Sequence, residues 1–240
     1  MVKDRAKSRY KMADRSNIIE IRDLTKTYTD GLGVKALDGL SLKVKRGEFL
    51  SIIGPSGSGK STLLHMIGIL DTPTSGTILI DGEDVTTMSD KERSNARNKM
   101  LGFIFQYHHL LPDFSALENV MMPLLISGKN KAEAREIAKG LLKEVGLEDR
   151  MDHRPNQLSG GQNQRVAVAR ALANIPKIVI GDEPTGNLDS NSSDKIYELL
   201  RKLNRNYGQT FILVTHDENM AGKTDRIIRI VDGRIVDDQF

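Results

Sequence analysis

The segment Gly54-Pro55-Ser56-Gly57-Ser58-Gly59-Lys60-Ser61 limits what this chain can fold into more than any other stretch. It fits G-x-x-x-x-G-K-[ST], in which glycines let consecutive backbone N–H groups wrap a phosphate at a helix N-terminus. Its flanks separate a binding loop from a flexible linker. Phe49–Ile53 is an apolar run of buried-strand length, and Lys60–Ile69 has the length and composition of a helix. The reading is strand, phosphate loop, helix. Lys60 is then placed to reach the β- and γ-phosphates, and Ser61 to ligate Mg²⁺ through its hydroxyl. Thr62 belongs to the same cofactor-binding segment.

Composition narrows the class. The chain has 240 residues, 38% hydrophobic and 28% charged, as in an ordinary globular protein. Its 35 basic and 32 acidic residues are interspersed, for a net charge of +3, which gives no clustered basic groove for nucleic acid. With no cysteine, disulfide frameworks and thiolate metal sites are excluded. No apolar run approaches the roughly 18 residues of a bilayer span, and the N-terminus lacks a secretory apolar stretch. The chain therefore reads as cytoplasmic and soluble by itself. Residues 1–17 are basic, with little to bury, and read as a disordered tail, with weak contact to anionic lipid as the alternative; Met12 is a second candidate start. Residues 18–240 read as one ATPase domain.

Ile18–Tyr28 and Ala36–Val44 read as paired strands around the turn-prone Asp30-Gly31-Leu32-Gly33, an antiparallel flank. From about Ser89 the pattern turns helical, with capping-box spacing at Ser89/Glu92 and Ser115/Glu118 and an apolar stripe at Ile137, Leu141, Leu142 and Val145. This predicts an inserted helical subdomain over about 89–160. After Gly160 the α/β pattern returns: a helix to about Asn174, a strand at Ile178–Ile180, a helix at about 191–205, and a strand at Thr210–Val214. A final hairpin over Arg226–Val236 turns on Asp232-Gly233.

Two further constellations carry chemistry. Ile178-Val179-Ile180-Gly181-Asp182-Glu183 puts two carboxylates at the end of a buried strand, the edge where open α/β sheets bind ligands. Asp182 suits the Mg²⁺ shell, and Glu183 is the candidate general base or water-positioner. Leu158-Ser159-Gly160-Gly161-Gln162 opens a helix, so its Ser hydroxyl and Gly N–H groups form a second anion site. A chain that already has one phosphate site gains from a second if a nucleotide is held between two chains. The five histidines fall without ligand spacing and form no metal set.

At these residues the chain resembles the ABC ATPase family, over nearly everything from Ile18 to Phe240. The resemblance implies an α/β fold, a P-loop NTPase (RecA-like) core with an antiparallel β flank and an inserted α-helical subdomain. It also implies ATP and Mg²⁺ as cofactors, a homodimer closing head to tail on two ATP molecules, and two integral membrane permease subunits as partners. By position, Tyr28 matches the aromatic that stacks on adenine, and Gln106 the glutamine that touches Mg²⁺ and the attacking water and begins the stretch sensing the membrane subunits. Asp189, in Asn187-Leu188-Asp189, matches the loop linking opposing sites, and His216 the histidine that contacts the γ-phosphate. Two departures, Asn163 after the signature and Gly181 before the carboxylates, remove no donor, ligand or base.

Leu101–Val120, with Tyr107, His108, His109, Leu111 and Phe114, is similar to the lipoprotein-releasing group within that family, and so is Leu70–Gly76. That implies a peripheral subunit at the cytoplasmic face of a bacterial inner membrane, with lipoprotein cargo handled indirectly. Macrolide-efflux-type and cell-division-type relatives share most of these motifs. Soluble family members of DNA repair or translation carry a long coiled coil or two cassettes, and this chain shows neither.

Overall fold

The computed structural model describes residues 17–29 and 33–240; the basic tail over 1–16 and the turn at 30–32 lie outside the described residues. Among the described residues ten strands form two sheets. The first is antiparallel, in the order β2 (Val34–Lys45), β1 (Asn17–Tyr28), β4 (Ser75–Ile80), β5 (Glu83–Asp84). The second runs β10 (Arg234–Gln239), β9 (Arg226–Val231), β3 (Phe49–Ile53), β8 (Thr210–Val214), β7 (Ile178–Asp182), β6 (Leu101–Phe105). Its strands are parallel except β10, which pairs antiparallel with β9.

Both faces of the second sheet are covered along β3, β7 and β8, which is why these strands read as near-continuous apolar runs, whereas β9 and β10 toward the edge alternate. Successive side chains point to opposite faces. Thus Leu50, Ile52, Ile178, Ile180, Ile212 and Val214 join the core shared with the antiparallel flank and α1 (Lys60–Ile67). Phe49, Val179, Phe211 and Leu213 join the other, beneath α3 (Ala116–Ile126), α4 (Lys131–Glu144), α5 (Gly160–Leu172) and α6 (Ser190–Tyr207). The remaining α-helices among the described residues are α2 (Asp90–Met100) and the single-turn α7 (Glu218–Ala221). Both expected capping boxes are formed, at Ser89/Glu92 and Ser115/Glu118.

One boundary differs from the sequence reading. The span 89–160 is not wholly helical: Leu101–Phe105 is a strand of the main sheet, paired in parallel with β7. The helical segment inserted into the sheet therefore begins after Phe105, between β6 and β7. The reason is packing: Leu101 and Ile104 are buried in the two cores, and a five-residue apolar run has no helical alternative of that length.

Ion pairs tie distant parts together. Arg226 bonds Glu48 at 3.1 Å and Asp238 at 2.6 Å, and Asp81 bridges Arg46 on the flank and Lys177 on the core. Among the described residues, no helix is long and apolar enough to cross a membrane.

Candidate functional site

The phosphate loop joins β3 to α1 and is shaped by its glycines. Gly59, the N-cap of α1, has φ 102, and a Cβ there would lie 2.4 Å from the Ala36 carbonyl oxygen. Gly54 is tighter still: a Cβ would lie 2.1 Å from Ile230 O. Only glycine meets both demands. Lys60 Nζ donates to the carbonyls of Gly54 and Pro55, both at 2.8 Å, so its ammonium is held across its own loop. Ser58 is buried, and its Oγ has no hydrogen-bond partner among the described residues. A cleft of about 350 Å³ lies beside Gly57, Gly59, Lys60, Ser61 and Thr62.

The far wall of that cleft was not anticipated. Asp232 and Gly233, read only as a hairpin turn, line it together with Val34 and Ala36, and Gly233 N donates to Ser58 O at 2.9 Å. The positive φ of both turn residues was legible from Asp-Gly; their approach to the loop required the sheet order. Tyr28 sits opposite Val34 in the β1–β2 register. Its hydroxyl donates to Asp71 at 3.3 Å, and Lys26 Nζ lies 4.9 Å from its ring centroid.

The carboxylates lie where β7 ends. Asp182 pairs in register with Val214 and with Phe105, so three strands deliver it to one edge. Burial pushes its carboxyl above the usual range, and the Glu183 charge adds to this, while His65 and Lys60 oppose it. Glu183 adopts φ 47, a left-handed backbone that a non-glycine residue holds only at a cost. Its N–H donates to Val214 O at 2.9 Å, and its carbonyl accepts from Gly186 N at 3.0 Å. Its Oε1 is 2.8 Å from His216 Nδ1; the Glu183 side chain is 18% exposed and that of His216 73%. A carboxylate shielded on one side and steered by an imidazole on the other is arranged to accept a proton.

Gln106 follows β6 and so reaches the same sheet edge. Its Nε2 donates to Asn187 Oδ1 at 3.1 Å, and Asn187 Nδ2 returns a bond to Gln106 O at 3.2 Å. The sequence places Asn187 only in the Asn187-Leu188-Asp189 loop; its pairing with Gln106 has no local signal, because the partner is 81 residues away. This pairing leaves Gln106 Oε1 as the atom available to a cation. The donors Ser61, Asp182 and Gln106 are all oxygens, which suits Mg²⁺, a cation that takes few protein ligands and completes its shell with water and phosphate. Among the described residues no cluster of three or more His, Cys, Asp or Glu forms a metal cage.

The second candidate anion site is at the start of α5. Ser159 Oγ accepts from Gln162 N at 3.3 Å, and Gln162 Oε1 accepts from Ser159 N at 2.8 Å. The Gly160 and Gly161 N–H groups, at the first two helical positions, have no intrahelical acceptor. Among the described residues Leu158–Gln162 makes no hydrogen bond to Gly54–Ser61. Asp189 caps α6, accepting from Ser192 N at 3.0 Å and Ser192 Oγ at 2.6 Å; these bonds hold its carboxyl below the usual range. Tyr107, Leu111 and Phe114 are exposed on the loop after β6.

Comparison with known proteins follows this geometry. The profile of the ABC transporter family matches residues 37–186. The chain is 52% identical over 217 residues to the lipoprotein-releasing system ATP-binding protein LolD of Shewanella frigidimarina, covering 90% of this chain and 91% of that one. It is 51% identical over 224 residues to LolD of Geobacter metallireducens, covering 93% and 100%. Among solved structures it resembles a dimeric post-hydrolysis state of the ATP-binding cassette MJ0796 bound to ADP and Pi, with a TM-score of 0.85 and 46% identity over 92% of this chain and 97% of that one. The cbiO1 protein of Clostridium perfringens, part of the transporter complex cbiONQ, also superposes with a TM-score of 0.85, at 32% identity over 93% of this chain and 88% of that one.

Proposed function

The chain belongs to the ABC transporter family, and we propose that it is the ATP-hydrolysing subunit of a lipoprotein-releasing system, working as a homodimer on two LolC/LolE-like permease subunits at the cytoplasmic face of a bacterial inner membrane. The observation that carries hydrolysis is the Glu183–His216 pair, 2.8 Å apart at the strand edge beside Asp182. The observation that carries lipoprotein release is the likeness to LolD proteins over nine-tenths of the chain.

In this reading ATP lies with its phosphates against the N–H groups of Gly54–Ser61 and the ammonium of Lys60, and its base beside Tyr28. Ser61, Asp182 and Gln106 would hold Mg²⁺, whose charge would offset that of the phosphates. Glu183 accepts a proton from the water that attacks the γ-phosphate, and the β–γ P–O bond breaks to give ADP and phosphate. His216 keeps the Glu183 carboxylate in line with that water. The free N–H groups of Gly160 and Gly161 and the Ser159 hydroxyl meet the γ-phosphate bound by the other chain, because within one chain they make no bond to the loop. Asp189 lies at the seam between the two sites. The exposed Tyr107, Leu111 and Phe114 face the permease, so closing and opening of the dimer drive its helices.

The test is a mild-detergent pull-down of the tagged chain from its native membranes, with mass-spectrometric identification of what co-purifies. Permease subunits together with lipoproteins are the expected outcome. An efflux permease with its periplasmic adaptor would move the assignment to a macrolide-efflux-type complex, and no membrane partner would overturn the transporter reading.

A further inference from the structure

Two consecutive non-glycine residues, His108 and His109, have left-handed backbones, with φ 64 and φ 46. Such a conformation is strained for a residue with a side chain and persists only where its surroundings enforce it. The enforcing group is Arg170 of α5: its guanidinium donates to His109 O at 2.5 Å and to His108 O at 2.7 Å. The Arg170 side chain is half-buried, partial burial lowers its pKa, and its guanidinium is taken up by these two backbone carbonyls. The left-handed turn in turn aims the His108 ring at the other end of the same helix. His108 Nε2 lies 3.0 Å from Gly160 O; a carbonyl only accepts, so Nε2 carries the hydrogen.

The geometry points to His108 as a positioning residue that couples the chain's two half-sites, an inference that rests on the dimer reading above. His108 is two residues beyond Gln106, which serves the nucleotide bound by its own chain, and it bonds the first helical residue of the signature, which serves the nucleotide of the partner. Arg170 anchors the loop to the far end of α5, and His108 ties it to the near end. The loop and the signature therefore shift as one body, and closure on one ATP presets the donors for the other.

The test compares the parent with three variants by ATP turnover against ATP concentration, equilibrium binding of a fluorescent ATP analogue, and amide hydrogen exchange over residues 106–111. His108→Gly suits the left-handed backbone but has no side chain. His108→Asn also tolerates that backbone, and its amide is one bond too short to reach Gly160 O. His108→Gln carries an amide nitrogen as many bonds from Cγ as the imidazole Nε2. Gly and Asn are expected to lower kcat about tenfold, the worth of one hydrogen bond, to bring the Hill coefficient toward unity, to speed exchange over the loop, and to leave analogue binding within about twofold of the parent. Gln is expected to restore kcat and cooperativity. Parental kcat and cooperativity in both Gly and Asn would overturn the proposal, as would equal loss in all three variants or loss of analogue binding together with kcat, the signature of a merely structural role. A parent chain that hydrolyses no ATP would overturn the functional reading itself, and the coupling with it.

Discussion

Replacing Glu183 by Gln isolates proton acceptance from every other role of that residue. Glu183 Oε1 sits 2.8 Å from His216 Nδ1, and an amide oxygen accepts from the same N–H, so the side-chain geometry survives. The backbone bonds to Val214 and from Gly186 do not involve the side chain at all. What disappears is basicity, and a positioned general base contributes about 100- to 10,000-fold. A thousandfold loss of kcat corresponds to about 4 kcal/mol of transition-state stabilisation. ATP binding should hold or tighten: Glu183 is one of the charges that raise the Asp182 carboxyl, and its neutralisation leaves Asp182 easier to ionise as a metal ligand. Phosphate release under saturating Mg-ATP, with size-exclusion chromatography in ATP, reads both effects. The expected result is a chain that turns over about a thousandfold more slowly and elutes as a dimer. Turnover within about threefold of the parent, well under the range for a lost base, would refute the assignment of Glu183.

His216→Ala removes only the group that steers the carboxylate, so its loss in kcat, about 10- to 150-fold for one charge-assisted hydrogen bond, should be smaller than that of Glu183→Gln. Asp182→Asn tests a trade of stability for function. An acid whose folded pKa is raised binds more protons folded than unfolded, so its contribution falls as pH rises from the unfolded value toward the folded one and stays unfavourable above it. The Asn variant should therefore melt higher than the parent at pH 7 by calorimetry while losing Mg²⁺-dependent turnover; a lower melting point would contradict the burial cause. Arg226→Met strands Glu48, whose side chain is 7% exposed. Breaking a buried pair costs about 3–5 kcal/mol, or roughly 10 °C in a domain of this size, and a shift of under about 2 °C would show the pair to be dispensable.

The parts of the site that were legible in the sequence are those written within one window. The phosphate loop, the carboxylates after Ile180 and the signature each combine a residue pattern with an adjoining element, and local sterics make such combinations readable. What escaped was fixed by distant partners. Leu101–Phe105 lies between two helix-rich stretches, and its place in the sheet is decided by pairing with Ile178–Asp182. The Arg226–Glu48 pair spans 178 residues, and no periodicity announces it. The left-handed turn at His108 and His109 is hidden for another reason: histidine tolerates that backbone better than most residues but does not demand it, and the bonds from Arg170 that hold it come from 61 and 62 residues away.

If each site is shared between two chains as proposed, the placing of the Gly54–Ser61 loop on one chain and Leu158–Gln162 on the other has a genetic consequence. A chain crippled at Lys60 and a chain crippled at Ser159 are each inactive alone, since every site in their homodimers carries a lesion. When the two pair, both lesions fall in the same site, and the other site is assembled from an intact loop and an intact signature. Two recessive alleles of this one gene should therefore complement each other in a cell carrying both, whereas two alleles that damage the same half should not.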